Sequence, residues 1–220
     1  MGTAPTQDDD NEDINGSALR QADTALSQML ARLEDNNDQE TVVIVTAARG
    51  NAISGNPDST MKERALKVPL LMRCEGQTPQ IIKELVSTID IAPTILEIAG
   101  LPRRARLQGT SLLDVVNGTT QRGWALSRLR NGEGHDSQNV KHNWQTALLA
   151  NNMKLIVNHG NTQTGDTASY RLFDLASDAD EQINLAVDES YASDLEDMAD
   201  LMIDARCAMK DRTEPRIAKF

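Results

Sequence analysis

Residues Thr41 to Asn51 read TVVIVTAARGN, a β-branched run followed by small residues, one arginine and a Gly-Asn turn. In open α/β sheets ligands gather at the carboxyl ends of strands, where loops are free to carry polar groups. The only ionic group this strand end offers is Arg49, suited either to an anion or simply to solvent, since most exposed charges contribute little. No carboxylate or histidine accompanies it. The other reactive residue types are dispersed. Asp58 follows Asn56-Pro57 and suits a turn. His135 lies in the polar, glycine-rich stretch NGEGHDSQN, where a loop histidine serves either a substrate or only the solvent. His142 and His159 flank a later hairpin and receive no role. Arg128 and Arg130 could face an anion, although arginine on a short strand is commonly just surface. Cys74 and Cys207 have no CxxC partner and no neighbouring histidine, so a zinc site is not expected. Two ordinary buried thiols are expected instead, with a single disulfide as the alternative.

Composition limits the partners. With 33 acidic against 22 basic residues the net charge is -11, and a phosphate backbone would be repelled, so no nucleic-acid partner is expected. No apolar run approaches the roughly 20 residues needed to span a bilayer, and MGTAPTQDDDNEDING lacks the basic and apolar regions of a signal peptide. A soluble chain with no membrane partner and no indicated compartment is expected. The sequons at Asn15 and Asn117 are too common a pattern to indicate secretion. A length of 220 residues fits one large domain or two small ones.

The elements that must position these residues can be read in order. Residues 1–16 are acidic and polar, with almost nothing to bury, and read as a disordered lead-in. From Ser17, a plausible N-cap, Ala18, Ala22, Ala25, Leu26, Met29, Leu30 and Leu33 recur at helical spacing. The strand Thr41 to Thr46 follows, a helix–loop–strand unit of the α/β class. Val68 to Met72 is a second strand candidate, with Pro69 at its entry. In APTILEIAGLP, Pro93 suits a first helical turn, Gly100 its stop, and Pro102 prevents continuation. That helix is apolar on several sides and is expected to pack inside. From about Thr119 the texture changes: Trp124 to Leu129, Trp144 to Ala150, Lys154 to Asn158 and Tyr170 to Leu175 read as strands. Asn151-Asn152 reads as a hairpin turn, and Tyr191 to Met209 as a closing helix.

In this order the segments resemble the C-terminal half of a type I sulfatase, of the alkaline-phosphatase-like superfamily, collinearly from about Ala18 to Phe220. ALSQMLARLEDNNDQETVVIVTAARGN looks like the family's helix, loop and strand that ends in T-S-D-H-G or T-S-D-N-G. MKERALKVPLLMRCEG is similar to Y-E-G-G-I-R-V-P-L-I-V-R-W-P-G. VSTIDIAPTILEIAGLP and LQGTSLLDVVNG resemble V-S-x-I-D-I-A-P-T-L-L-E-L-A-G and x-x-G-x-S-L-L-P-L-L, and YRLFDLASDADEQINLA resembles L-Y-D-L-x-x-D-P-x-E-x-x-N-L-A. No single piece is diagnostic, but IDIAPTILEIAG, GTSLLD and LFDLASDADEQINLA in that order are a strong signal. The resemblance implies a partial, mostly parallel sheet with flanking helices, followed by a small antiparallel sheet and helix. Residues 17–118 would be the C-terminal part of the α/β domain and 119–220 the C-terminal subdomain.

The resemblance also implies hydrolysis of sulfuric esters at a calcium site, with a formylglycine made from the C/S-x-P-S-R motif as nucleophile. That motif does not occur here. The family's metal ligands at the strand end fall on Ala48 and Arg49; a methyl cannot bind calcium and a guanidinium repels it. The family's catalytic lysine falls on Asp58, with Lys62 or Lys67 as nearby cations, and a loop containing His135 lines the substrate pocket in some relatives. The chain thus reads as a fragment or degenerate member. It needs no cofactor of its own, its partner is a missing N-terminal half, and a sulfated small molecule or glycan is the substrate if it is active. A non-catalytic anion- or protein-binding module and a phosphonate or phosphate-ester hydrolase are the alternatives.

Overall fold

The computed structural model describes residues 7–35, 41–50, 61–74, 76–131, 143–159 and 167–209. Two compact units emerge: Met1–Thr46 with Pro69–Pro79, and Ala47–Val68 with Gln80–Phe220.

The first unit holds helix α1 (Gln7–Asp35) and strands β1 (Val43–Thr46) and β2 (Leu70–Arg73). The helix begins well ahead of Ser17, within the stretch expected to be disordered; acidic residues such as those at positions 8–10 suit a helix N-terminus, where the macrodipole is positive. Its apolar stripe is only partly covered. Leu26, Leu30 and Leu33 are half-buried, whereas Leu19 and Met29 are exposed. β1 and β2 pair antiparallel, Val43 opposite Arg73 and Thr46 opposite Leu70. Pro69 immediately precedes the ladder, where its missing N–H costs nothing. The parallel strands implied by the resemblance are not among the described residues; an antiparallel edge on an otherwise parallel sheet is a common mixture.

The second unit holds α2 (Glu63–Leu66), a 3-10 turn at Thr88–Asp90, α3 (Ile91–Ile98), α4 (Leu112–Val116), β3 (Ala125–Asn131), β4 (Asn143–Ala150), β5 (Met153–Asn158), β6 (Ser169–Asp174), two further 3-10 turns at Leu185–Val187 and Glu189–Tyr191, and α5 (Ala192–Ala208). Strands β3 to β6 form a four-stranded antiparallel sheet in sequence order. Asn151 and Asn152, at φ of 47° and 65°, make the two-residue turn between β4 and β5 that both-positive φ requires.

This sheet is covered on both faces, which is why its middle strands are nearly continuous in apolar residues. Leu148, Leu155 and Leu172 lie in one cross-strand row and pack with Met198, Met202 and Ala205 of α5. On the opposite face Ala147, Ile156 and Phe173 pack with Met61 and the half-buried Leu66.

In α3, Pro93 sits in the first turn and the helix ends in a Schellman motif. Gly100, at φ 64°, donates its N–H to the Glu97 carbonyl (3.0 Å), and Leu101 donates to Leu96 (2.8 Å). The expectation that this helix packs inside is corrected: Pro93 and Thr94 are buried, but Ile95 stands 51% exposed, and Leu101, just past the helix stop, 55%. The thiols differ from expectation too. Both are free; Cys207 is exposed, because the buried side of α5 is taken by Met198, Met202 and Ala205, and Cys74 is half-buried.

Candidate functional site

The end of β1 leads into Ala47, half-buried, then Ala48 and Arg49, both exposed, and then Gly50. Gly50 fixes this turn. Its N–H donates to the Ala65 carbonyl at 2.8 Å, and a Cβ built on it would meet the carbonyl oxygens of Arg64 and Lys67 at 2.2 and 2.9 Å. Only glycine lets the turn lie this close to α2.

The segment carrying α2 is anchored in turn by charge. Lys154 on β5 is 1% exposed, with its ammonium 3.0 Å from Glu63 Oε1 and 2.9 Å from Glu181 Oε1. The contact to Glu181 is too oblique to be a directed hydrogen bond, so the attraction there is Coulombic. Glu181 Oε2 accepts from the Glu63 N–H at 2.6 Å, and Lys62 Nζ donates to the Glu181 carbonyl at 2.8 Å. A buried ammonium between two carboxylates is tolerated because each charge is paired; removing one partner would strand the others. Glu181 itself has φ 56°, a left-handed conformation that costs a residue with a Cβ about 1–2 kcal/mol.

The loop before Glu181 is shaped by hydrogen-bonded carboxylates. Asp174 accepts from the Ser177 hydroxyl at 2.7 Å and the Ala176 N–H at 3.0 Å, and these bonds hold its carboxyl below the usual aspartate range. Asp178 accepts from the Ile183 N–H at 2.8 Å, and the amides of Ile183 and Gln182 lower its pKa likewise. Asn184 Oδ1 then accepts from Leu172 on β6 and from Ala186. The carboxylates of Asp174 and Asp178 are thus spent on holding this loop's backbone.

A second buried carboxylate ties α3 to α4. Asp90 is fully buried; its Oδ1 is paired with Arg122 and accepts from the Thr110 N–H at 2.8 Å, while Oδ2 accepts from the Ser87 N–H at 2.8 Å. Thr94 Oγ1 donates to the Asp90 carbonyl at 2.6 Å and accepts from the Leu112 N–H at 2.8 Å. These bonds give IDIAPT and GTSLL a shared physical reason: they are two sides of one packed joint.

Among the residues expected to carry chemistry, Ala48 and Arg49 lie together at the strand end, and Asp58 and His135 lie outside the described residues. Lys62 is occupied by the carbonyls of Glu181 and Asp180, and Lys67 is exposed. Arg128 stacks over the Trp144 ring at 5.8 Å, and His159 Nε2 pairs with the Thr146 hydroxyl at 2.8 Å. The trio of Lys154, Glu63 and Glu181 was not expected; its one signal in sequence is a lysine at an inward position of the strand MKLIVN. Among the described residues, no three His, Cys, Asp or Glu side chains converge in a way that could hold a metal ion. At the strand end itself, alanine and arginine do not fit the calcium that the resemblance implies, because neither side chain offers an oxygen ligand.

Comparison with known proteins names the scaffold. The family model described as N-sulphoglucosamine sulphohydrolase, C-terminal, matches residues 58–208, and the model described as Sulfatase matches residues 4–101. Arylsulfatase K of Xenopus laevis is 27% identical over 202 residues, covering 84% of this chain and 36% of that protein. Among solved structures, BT4656 in complex with its substrate D-glucosamine-2-N,6-O-disulfate superposes with a TM-score of 0.70 at 21% identity, over 87% of this chain and 39% of that one. The phosphonate monoester hydrolase of Agrobacterium radiobacter gives a TM-score of 0.70 at 20% identity, over 85% of this chain and 39% of that one. The chain therefore spans little more than a third of the length of these relatives. With a family model matched across most of its residues and the same fold in the solved structures, this chain belongs to the sulfatase family and carries part of its alkaline-phosphatase-like fold.

Proposed function

We propose that this chain is a degenerate or partial sulfatase, supplying the C-terminal part of a sulfuric ester hydrolase fold without a nucleophile or calcium site of its own. The observation that carries this reading is the strand end. Gly50 keeps the tight approach to α2, yet the two preceding positions, where the family resemblance places metal ligands, are Ala48 and Arg49. No C/S-x-P-S-R segment accompanies them. Sulfatase chemistry requires a hard cation held by several oxygens, to polarise the ester and stabilise the attacking group. Neither side chain can contribute to that. On this reading residues 17–118 belong to the α/β domain and 119–220 to the subdomain, Asp58 stands at the family's lysine position, and His135 belongs to a loop beside the substrate. Any substrate of a completed enzyme would be a sulfated small molecule or glycan.

The fold is shared equally with a phosphonate monoester hydrolase, and fold alone does not select a substrate. The family models and the sequence relatives favour the sulfate ester. The test is an assay of the chain alone on an aryl sulfate and an aryl phosphonate monoester with calcium present. No turnover of either is expected. Turnover of the sulfate by the isolated chain would overturn the reading, and turnover of the phosphonate alone would transfer it to the other hydrolase class.

A further inference from the structure

Between Glu97 and Asp114 an acidic chain turns locally basic. That stretch carries Arg103, Arg104 and Arg106 and no carboxylate, against a net charge of -11 for the whole molecule. All three arginines are exposed, on the irregular loop that joins α3 to α4. Charges more than about 8 Å away are largely screened at physiological salt, so an anion touching this loop feels mainly its guanidinium groups.

The loop is held in shape before any ligand arrives. At one end stands the Schellman motif of Gly100, and at the other the Thr110 N–H is bonded to Asp90. Gly109 passes so close to the 3-10 turn that a Cβ on it would collide with the Ile89 carbonyl. Arg103 reaches across the loop, donating to the Gly109 carbonyl at 2.6 Å, and lines a hollow with Glu97 and Asp114. The Leu107 N–H donates to the Arg104 carbonyl at 3.0 Å, closing a turn that carries both Arg104 and Arg106. Arg103 is therefore committed to the fold, and the other two are presented outward. Side chains on a backbone already fixed lose less freedom on binding than those of a mobile basic tail.

We propose that this loop binds a sulfated polysaccharide strand, with Arg104 and Arg106 gripping sulfate oxygens through their forked N–H donors. The choice of sulfate as the anion rests on the partial-sulfatase reading given above. The choice of a single thin strand rests on the loop. A flat anionic membrane or a wide nucleic-acid duplex would bring much of the -11 chain into a repulsive field, whereas a polysaccharide strand meets the loop alone. Residues 101–110 include no aromatic ring on which an unpaired base could stack.

The test titrates the full chain with a heparin oligosaccharide at several salt concentrations, and in parallel with its desulfated counterpart, duplex DNA and anionic lipid vesicles. Only the sulfated strand is expected to bind. Arg104→Ala combined with Arg106→Ala is expected to weaken that binding about 10-fold or more, with Tm unchanged, and to lower the slope of log affinity against log salt by about 1 to 2. Arg64→Ala combined with Lys83→Ala removes the same charge from exposed positions elsewhere, and is expected to change affinity less than about 2-fold. If the first variant melts early, Arg104→Gln combined with Arg106→Gln replaces it, and the same loss is required. The proposal is overturned if the oligosaccharide does not bind, if the desulfated strand, the DNA or the vesicles bind as tightly, or if the two paired variants lose affinity equally. Failure of the underlying reading shows separately, as sulfate-ester turnover by the chain alone.

Discussion

Two regions of the second unit have opposite character. Around Lys154 and Asp90, charged side chains are buried and partnered, and the backbone donors at Glu63, Ser87 and Thr110 are satisfied by them. At residues 47–50 the backbone is equally constrained, through Gly50, but the side chains at Ala48 and Arg49 are exposed and offer no ligand. The difference separates packing from chemistry. Around Lys154 and Asp90 side chains hold the fold together, whereas at Ala48 and Arg49 the turn is held by backbone alone and the side chains are left to solvent. Packing constraints act on the folded chain whatever it does, while a ligand site is constrained only by the ligand.

Breaking the comparison at its most constrained point should give the largest effect. Lys154→Ala leaves Glu181 buried beside Glu63 without its cation, and is expected to cost about 3–5 kcal/mol in urea denaturation. Lys154→Met combined with Glu181→Gln should recover much of that loss, because the fully buried carboxylate is neutralised and the one that remains, Glu63, is partly exposed to solvent. A recovery of nothing would show that Glu181 acts through its left-handed backbone instead. Gly50→Ala comes next, at roughly 2–3 kcal/mol, since the Cβ would collide with the Arg64 carbonyl and α2 would have to move.

A smaller effect is expected from pH. Asp174, Asp178 and Asp188 are all depressed by hydrogen bonds to the folded chain, Asp188 through the hydroxyl and N–H of Ser190. A carboxylate with a lowered folded pKa stabilises the fold above its unfolded value, about 3.9 for aspartate, and loses that contribution as pH falls through the folded value. Urea midpoints should therefore decline below about pH 4, and Asp178→Asn should flatten the decline slightly. Smallest of all, Arg49→Ala should change stability by no more than about 0.5 kcal/mol by thermal melting. A loss of several times that would mean Arg49 is part of the packed framework and erase the contrast between the two regions.

Much of the architecture was legible in the chain. Alternating and continuous apolar runs located β3 to β6, the Asn151-Asn152 pair located their central hairpin, and Pro93 and Gly100 bracketed α3. These signals are local: a turn type or a helix stop depends on φ and on hydrogen bonds within a few residues. The order of the motifs was enough to indicate the sulfatase scaffold. What Asp90 does was not legible, because its partners Thr110 and Arg122 are 20 and 32 residues away. The start of α1 ahead of Ser17 and the exposure of Ile95 were misjudged, since neither the charge at a helix end nor the extent of cover on an apolar helix follows from periodicity.

The sequence by itself determined the scaffold, and it determined that Ala48 and Arg49 bring no side-chain oxygen to the strand end, because the identity of a side chain fixes its ligand chemistry before any folding. Only the tertiary structure decided that Lys154 is an inward cation between Glu63 and Glu181, that the carboxylates of Asp178 and Glu181 accept backbone amides, and that Gly50 must be glycine. Those are properties of atoms brought together from distant parts of the chain. Their energies come from burial and proximity, and neither is written in any one segment.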